Sequence, residues 1–351
     1  MTVTDARSAP AAAVAPPRTC TFDVADWTIL ARGWYAVARV EDVGAAPVAA
    51  TLLDVPLVVY RAGSGIVVAD DLCPHRGVPL TMGTGDGTGI ACAYHGLRFG
   101  ADGACVGIPA HPAAKIPERM HLRPYPAVVR YGLVWTCLDR SAVDAVPPMP
   151  GWDEDGFQRV TCPPFDVAAF AGRQVEGFLD VAHFGFVHPG TFGDPGNPEV
   201  PPYNPVVTAD GFTVDYWSTV ANYPHGAGLR APDGYQWLRR FALHLPFTAT
   251  LVVHFPDGGR LCIMNAATPV SARRTRMFAP IAKDFATDQP AGEIFDFNLR
   301  VFEEDRRIVE VQKPENLPLD PRIEVNIAAD RSSVAYRRGL KARGLSHFFT
   351  A

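Results

Sequence analysis

Two groups of residues in this sequence have the types and spacing to hold metal ions. The first is Cys73-x-His75, sixteen intervening residues, then Cys92-x-x-His95, carried on D-L-C-P-H-R-G at Asp71 to Gly77 and A-C-A-Y-H-G at Ala91 to Gly96. Two thiolates and two neutral imidazoles can close a four-ligand site, and the glycines permit the turns that bring backbone amides close to sulfur. Such a set suits a structural zinc ion. It also suits a [2Fe–2S] cluster with both cysteines on one iron and both histidines on the other, and the loop context favours this occupant. Exchanging thiolate for imidazole removes negative charge and raises the reduction potential.

The second group centres on E-G-F-L-D-V-A-H-F-G-F-V-H, Glu176 to His188. Projected as one helix, part of a longer one from about Val167 to Phe186, it puts Phe178, Leu179, Ala182 and Phe186 on an apolar arc and Glu176, Asp180 and His183 on a polar one. Pro189-Gly190 should end it. Two imidazoles at a helix terminus with an acid one turn earlier make an open metal site; alone, they fit equally well as two histidines hydrogen-bonded in a core. A further helix is expected at about Gly292 to Gln312, with Ile294, Phe297, Val301, Phe302, Ile308 and Val309 inward and Asp296, Arg300, Glu303, Glu304, Arg307 and Glu310 covering the rest. Asp305 falls inside the apolar face. A buried carboxylate needs an inward-reaching arginine or a metal. In the second case His183, His188 and Asp305 form a two-histidine, one-carboxylate set that leaves positions open on ferrous iron for dioxygen.

The elements that must position these groups differ between the halves of the chain. Residues 26–146 carry short β-branched and aromatic runs bounded by Gly, Pro and Asp, as in an all-β domain. Pro147-Pro148-Met149-Pro150-Gly151 is a stiff candidate linker. Residues 152–351 read as helix, antiparallel strands (near Phe212 to Val220, Tyr235 to His244, Ala249 to Phe255, Arg260 to Pro269 and Thr275 to Ile281) and helix, an α+β domain with Pro256-Asp257-Gly258-Gly259 as a hairpin turn. Residues 1–25 begin with an Ala- and Pro-rich stretch and read as a disordered tail.

The chain's 351 residues are 48% hydrophobic with a net charge of −5, so there is no basic footprint for nucleic acid. No apolar run approaches the length of a membrane helix, and no secretory signal is present, which places the protein in the cytoplasm. Seven cysteines argue for reduced thiols and metal ligands, not a disulfide framework. The pairs Arg239-Arg240 and Arg273-Arg274 are expected at solvated strand or turn positions, and Cys20, Cys105, Cys137, Cys162 and Cys262 as ordinary small apolar residues.

The quartet, with Pro74, Arg76, Gly77, Tyr94 and Gly96 around it, resembles the Rieske iron–sulfur domain. With D-x-x-H-x-x-x-x-H (Asp180, His183, His188) and the late E-D-x-x-x-x-E-x-Q (Glu304, Asp305, Glu310, Gln312), the chain from about Trp27 onward resembles the oxygenase component of Rieske non-haem iron oxygenases. H-P-G-T-F-G-D-P at His188 to Pro195 is most similar to the α-subunit-only branch with methylxanthine N-demethylases and vanillate- or dicamba-type O-demethylases. The resemblance implies a [2Fe–2S] cluster, mononuclear Fe(II), dioxygen, an external reductase or ferredoxin, and a head-to-tail homotrimer. In that trimer Asp180 would accept from a cluster histidine, His75 or His95, of a neighbour and orient His183. Many relatives carry Asn at the position of Gly177, and Glu176 has no evident role.

The resemblance implies monooxygenation, either hydroxylation or oxidative N- or O-demethylation, of a small aromatic, heteroaromatic or polycyclic compound. Ring cis-dihydroxylation is the alternative within the class, and a Rieske electron-transfer protein the alternative outside it. Tyr203, Tyr216, Trp217, Trp237, Phe247 and Met264 are candidate pocket residues.

Overall fold

The computed structural model describes residues 15–140, 146–221 and 231–346. Most of the expected tail, residues 1–14, lies outside the described residues, and from residue 15 the chain is placed, with Phe22 buried. Its helices are α1 (Val24–Leu30), α2 (Ala171–Leu179), α3 (Phe184–Val187), α4 (Ala291–Val309) and α5 (Arg331–Ala342). None is long and apolar enough to cross a membrane.

The first half consists of short antiparallel strands. Val55–Ala62 pairs with Val48–Leu52 and Gly65–Asp70, and a four-stranded sheet follows from Thr84–Gly85, Ile90–Ala91, Arg98–Phe99 and Cys105–Gly107. One ligand loop leaves the Gly65–Asp70 strand, and the other joins Ile90–Ala91 to Arg98–Phe99. Val58, Tyr60, Leu80, Ile90 and Phe99 pack into one core with Cys73 and Cys92, so the sulfurs sit at the inner end of both loops.

Among the described residues of the second half, nine antiparallel strands form one sheet. Gln158–Thr161, Pro280–Lys283, Arg260–Ser271, Thr248–His254, Trp237–His244, Gly211–Ser218 and Val206–Val207 lie in that order, with Arg274–Phe278 and Phe165–Val167 continuing from Arg260–Ser271. The expected strand at Thr275 to Ile281 is thus two, because its chain pairs with two different partners. The turn after His254 closes with a Phe255 N–H bond to Gly259 O (2.8 Å) and Gly258 at φ +88°. A single core runs from Val37, Leu57 and Val134 in the first half to Phe170, Val175 and Phe241 in the second.

Helix α2 stops at Leu179, and this corrects the expectation of one helix through Phe186. Asp180 takes extended backbone (φ −74°, ψ 135°) and its Oδ1 accepts from Ala182 N–H at 2.8 Å, capturing a donor that a continuing helix would use. The chain re-enters helix only at α3, which rotates Phe186 to the surface and turns Phe184 inward.

The break also gives Glu176 a role. Its carboxylate accepts from Arg337 Nε (2.7 Å) and Nη2 (2.9 Å), from Arg173 Nη1 (3.1 Å) and from the Ser333 hydroxyl. Both arginines also reach Glu324, Arg173 at 2.6 Å and Arg337 at 2.5 Å. Two arginines and two glutamates thereby alternate between α2, α5 and the segment joining α4 to α5. Helix α5 is weakly marked in sequence because its inward side chains are mixed, Ser332 and Arg337 beside Tyr336 and Leu340.

Removing one member of a buried pair costs far more than the pair contributes. Glu176→Gln is expected to lower unfolding free energy by about 3–5 kcal/mol in chemical denaturation. Glu324 is pushed up by burial, but Arg173 and Arg337 outweigh that and hold its carboxyl below the usual range. Its contribution is therefore present above the unfolded carboxylate range and lost as pH falls through its lowered folded value. Glu324→Gln should flatten the acid side of the melting-temperature profile.

Candidate metal centres and the cavity beside them

The two cysteine–histidine loops have matching geometry. In each, the cysteine N–H bonds to the carbonyl five residues on (Cys73 to Val78, Cys92 to Leu97, both 2.9 Å). In each, the glycine four residues on returns its N–H to the cysteine carbonyl (Gly77 to Cys73, Gly96 to Cys92, both 2.9 Å). Gly77 and Gly96 have φ of +71° and +66°, which a side chain would resist. The thiols are buried and the imidazoles exposed.

His75 Nδ1 and His95 Nδ1 face each other at 3.1 Å, so both Nε2 edges point away from the site. Four donors to one zinc ion would converge on a point. The histidine, cysteine and carboxylate donors that do converge, within 4.8 Å of one another, are those of His183, His188 and Asp305, and the quartet is absent from such groupings among the described residues. A separate thiol pair and imidazole pair fit a two-iron cluster better than one ion.

The second centre is compact. His183 Nε2 and His188 Nε2 lie 3.1 Å apart, and Asp305 Oδ1 lies 3.4 Å from the first and 3.0 Å from the second. Each imidazole has a carboxylate behind it. His188 Nδ1 donates to Glu304 Oε2 at 2.8 Å, and the same oxygen accepts from Thr191 Oγ1 at 2.7 Å. His183 Nδ1 lies 3.6 Å from Asp180 Oδ2, a charge contact slightly longer than a hydrogen bond. Carboxylates on the outer nitrogens leave the inner lone pairs for a metal, and the three donors share one face.

The electrostatics agree with a cation site. Burial lowers the affinity of His183 for a proton, but Asp180 and Asp305 outweigh it and raise its pKa to about 9. Asp305 is raised by burial and lowered more by the two histidines. Its partners are these imidazoles, not an arginine.

Helix α4 buries Ile294, Phe302 and Val309 as expected and leaves Ile308 exposed. Glu304 and Glu310, expected to face solvent, are instead bound to His188 and to the Ala168 N–H (2.8 Å). In Glu304 the available signal was its place beside the inward Asp305.

The cavity at this centre has a volume of about 70 Å³. Phe178, Phe184 and Phe192 line it from the α2–α3 side, Asn298, Val301 and Phe302 from α4, and Arg239, Phe241, Leu251, Leu261 and Ile263 from the sheet. The five expected pocket aromatics and the expected methionine do not line it. Tyr203, Tyr216, Trp237, Phe247 and Met264 are buried elsewhere in the core, and Trp217 is exposed, because both faces of the sheet are partly covered and strand alternation alone does not say which meets the metal.

Arg239, expected in solvent, is fully buried. Its Nη2 donates to Val220 O (2.9 Å), its Nη1 to Ser218 Oγ (3.2 Å), and its guanidinium sits 5.4 Å from the centroid of the Phe184 ring. Burial pulls its pKa down to about 10. Arg240 is exposed and pairs with Asp215, as expected of a strand surface.

Comparison with known proteins follows the same division. Residues 33–126 match the Rieske [2Fe-2S] domain, and residues 167–344 match the vanillate O-demethylase oxygenase C-terminal domain. The chain is 32% identical to methylxanthine N1-demethylase NdmA of Pseudomonas putida over 324 residues, 90% of this chain and 89% of that one. It is 30% identical to methylxanthine N3-demethylase NdmB of the same organism, covering 92% and 91%. The solved structure of NdmA with caffeine superposes with a TM-score of 0.78 at 29% identity, over 90% of this chain and 91% of that one.

Asp305→Ala is expected to abolish iron binding at the second centre while the visible absorption of the cluster is kept. Glu304→Ala should keep both centres but weaken the mononuclear iron by about 10–100-fold in chelator competition.

Proposed function

Since this chain belongs to the Rieske non-haem iron oxygenases, in the branch with methylxanthine and vanillate demethylases, we propose that it removes a methyl group oxidatively from a small aromatic or heteroaromatic compound. The observation that carries this reading is the triangle of His183, His188 and Asp305 at the wall of a mainly apolar cavity. A protein that only carried electrons would have no use for that triangle.

The ligand assignment is Cys73, His75, Cys92 and His95 for the cluster and His183, His188 and Asp305 for the iron. When bound, the iron activates dioxygen and the cluster supplies electrons singly. In balance, an N- or O-methyl group, dioxygen, two electrons and two protons give the N–H or O–H product, formaldehyde and water. The electrons come from a separate reductase in the cytoplasm. The protein's part is to hold the methyl group beside the iron, with Phe184, Phe192 and Phe302 excluding water and Asn298 offering a neutral polar contact.

We assign Asp180 as the link between centres of neighbouring subunits in a homotrimer. It contacts His183 on one side and on the other lines an open cavity of about 320 Å³ with Gly177, Gln312 and Tyr203. Gly177 lies at the wall of that space, and a Cβ there would press on Val309 Cγ2 at 3.3 Å. Gln312 Oε1 is buried there without a hydrogen-bond partner among the described residues. The exposed Nε2 edge of His75 or His95 from another copy supplies the donor that Asp180 and Gln312 can accept.

Holoenzyme with a surrogate reductase should show substrate-dependent oxygen uptake with about one formaldehyde per dioxygen. Asp180→Asn should retain both metal centres and lose about 100-fold or more in turnover. Near-normal coupled turnover in that variant removes the link, and a product heavier by two oxygen atoms would assign ring dihydroxylation instead.

A further inference from the structure

The side chains on the cavity face of the sheet form three rows across three neighbouring strands. Arg239, Val253 and Leu261 make the first, Phe241, Leu251 and Ile263 the second, and Leu243, Ala249 and Asn265 the third. The sheet residues that line the cavity come from the first two rows. The third lies one step deeper along the strands, and in it Asn265 is completely buried. Neither Nδ2 nor Oδ1 of Asn265 has a hydrogen-bond partner among the described residues.

An amide enclosed in this way carries the desolvation cost of both ends with nothing to offset it. A leucine of similar volume would fill the same place without that cost. Neither metal centre uses Asn265, and its cross-strand neighbour Ala249 is too small to fill the space beside it with side-chain atoms.

The cavity must also grow to take a ring compound. Its volume of about 70 Å³ is well below the about 300 Å³ at which small-molecule pockets begin. Leu251 and Ile263 are only partly buried, and as the second row they stand between the first row and the third. Displacing them inward along the strands brings a ligand to the Asn265 amide. That direction supplies partners to a carboxamide orphaned at both ends, whereas the polar groups at the cavity wall, Arg239 and Asn298, already have hydrogen-bond partners.

We propose that Asn265 is a substrate-reading residue at the inner end of the pocket, and that it selects compounds with a lactam or imide edge. A carboxamide with both ends vacant pairs in register with an adjacent N–H and C=O. Its Oδ1 would repel a carboxylate, which has only acceptors. The substrate is then a neutral N-methyl heterocycle with one unsubstituted lactam N–H, and not a methoxybenzoate. This specifies the substrate class of the demethylation proposed above and rests on that reading.

The test uses the iron-loaded holoenzyme and its Asn265→Leu variant, with 1-methyluracil as the lactam probe and 4-methoxybenzoate as the comparison. Calorimetry should show 1-methyluracil binding the parent and binding Asn265→Leu about tenfold or more weakly. Any turnover of that probe should be lost mainly through KM. The melting temperature of Asn265→Leu should equal or exceed that of the parent, since the variant removes an unpaired buried amide.

A lower melting temperature together with unchanged binding would make Asn265 a structural amide and overturn the proposal. So would tighter binding of 4-methoxybenzoate than of 1-methyluracil by the parent. Lactam binding that depends on Asn265 without formaldehyde release would uphold the reading of the edge and count against demethylation alone.

Discussion

The placement of one carboxylate, Asp305, against two imidazoles organises the catalytic half of this protein. A carboxylate on the inward face of α4 is costly unless positive charge or a metal meets it. Here His183 and His188 meet it from α2–α3, on the opposite wall. The helix break at Asp180 follows from the same requirement, since a helix continued through Phe186 would place His183 by helical rotation and would not turn Phe184 inward. Glu304 and Asp180, behind the imidazoles, fix the ring orientation on which the arrangement depends.

The rest of the half can be understood as support for that arrangement. The antiparallel sheet gives a rigid floor, and its cavity side presents Arg239, Phe241, Leu251, Leu261 and Ile263. Helix α2 is tied from behind by the alternating ring of Glu176, Arg337, Glu324 and Arg173. Buried charge of this kind adds little net stability but is costly to misalign. In this position it fixes the start of the segment that ends in the metal-binding histidines.

The sequence made some of this plain because the chemistry is local. Cys73, His75, Cys92 and His95 stand in two short loops, and the glycines that let those loops close, Gly77 and Gly96, are part of the same pattern. Asp305 was legible because a charge on an apolar helix face is a local contradiction. What stayed hidden depended on distant pairing. Glu176 is explained by residues 148 and 161 positions away, Glu324 and Arg337. Arg239 read as a surface residue because two adjacent arginines on a strand point to opposite faces, and sequence does not say which face is covered. The pocket aromatics were misplaced for the same reason: alternation identifies two faces without identifying the one that meets the metal.

The most direct test of the account is the composition of the metal centres. Iron, zinc and acid-labile sulfide should be measured on protein purified without oxygen and reconstituted with iron and sulfide. Two distinct centres predict about three iron and about two sulfide per chain, with negligible zinc. About one zinc per chain with no labile sulfide would contradict it, leaving the cysteine–histidine quartet a structural zinc site and the triangle of His183, His188 and Asp305 without a source of electrons.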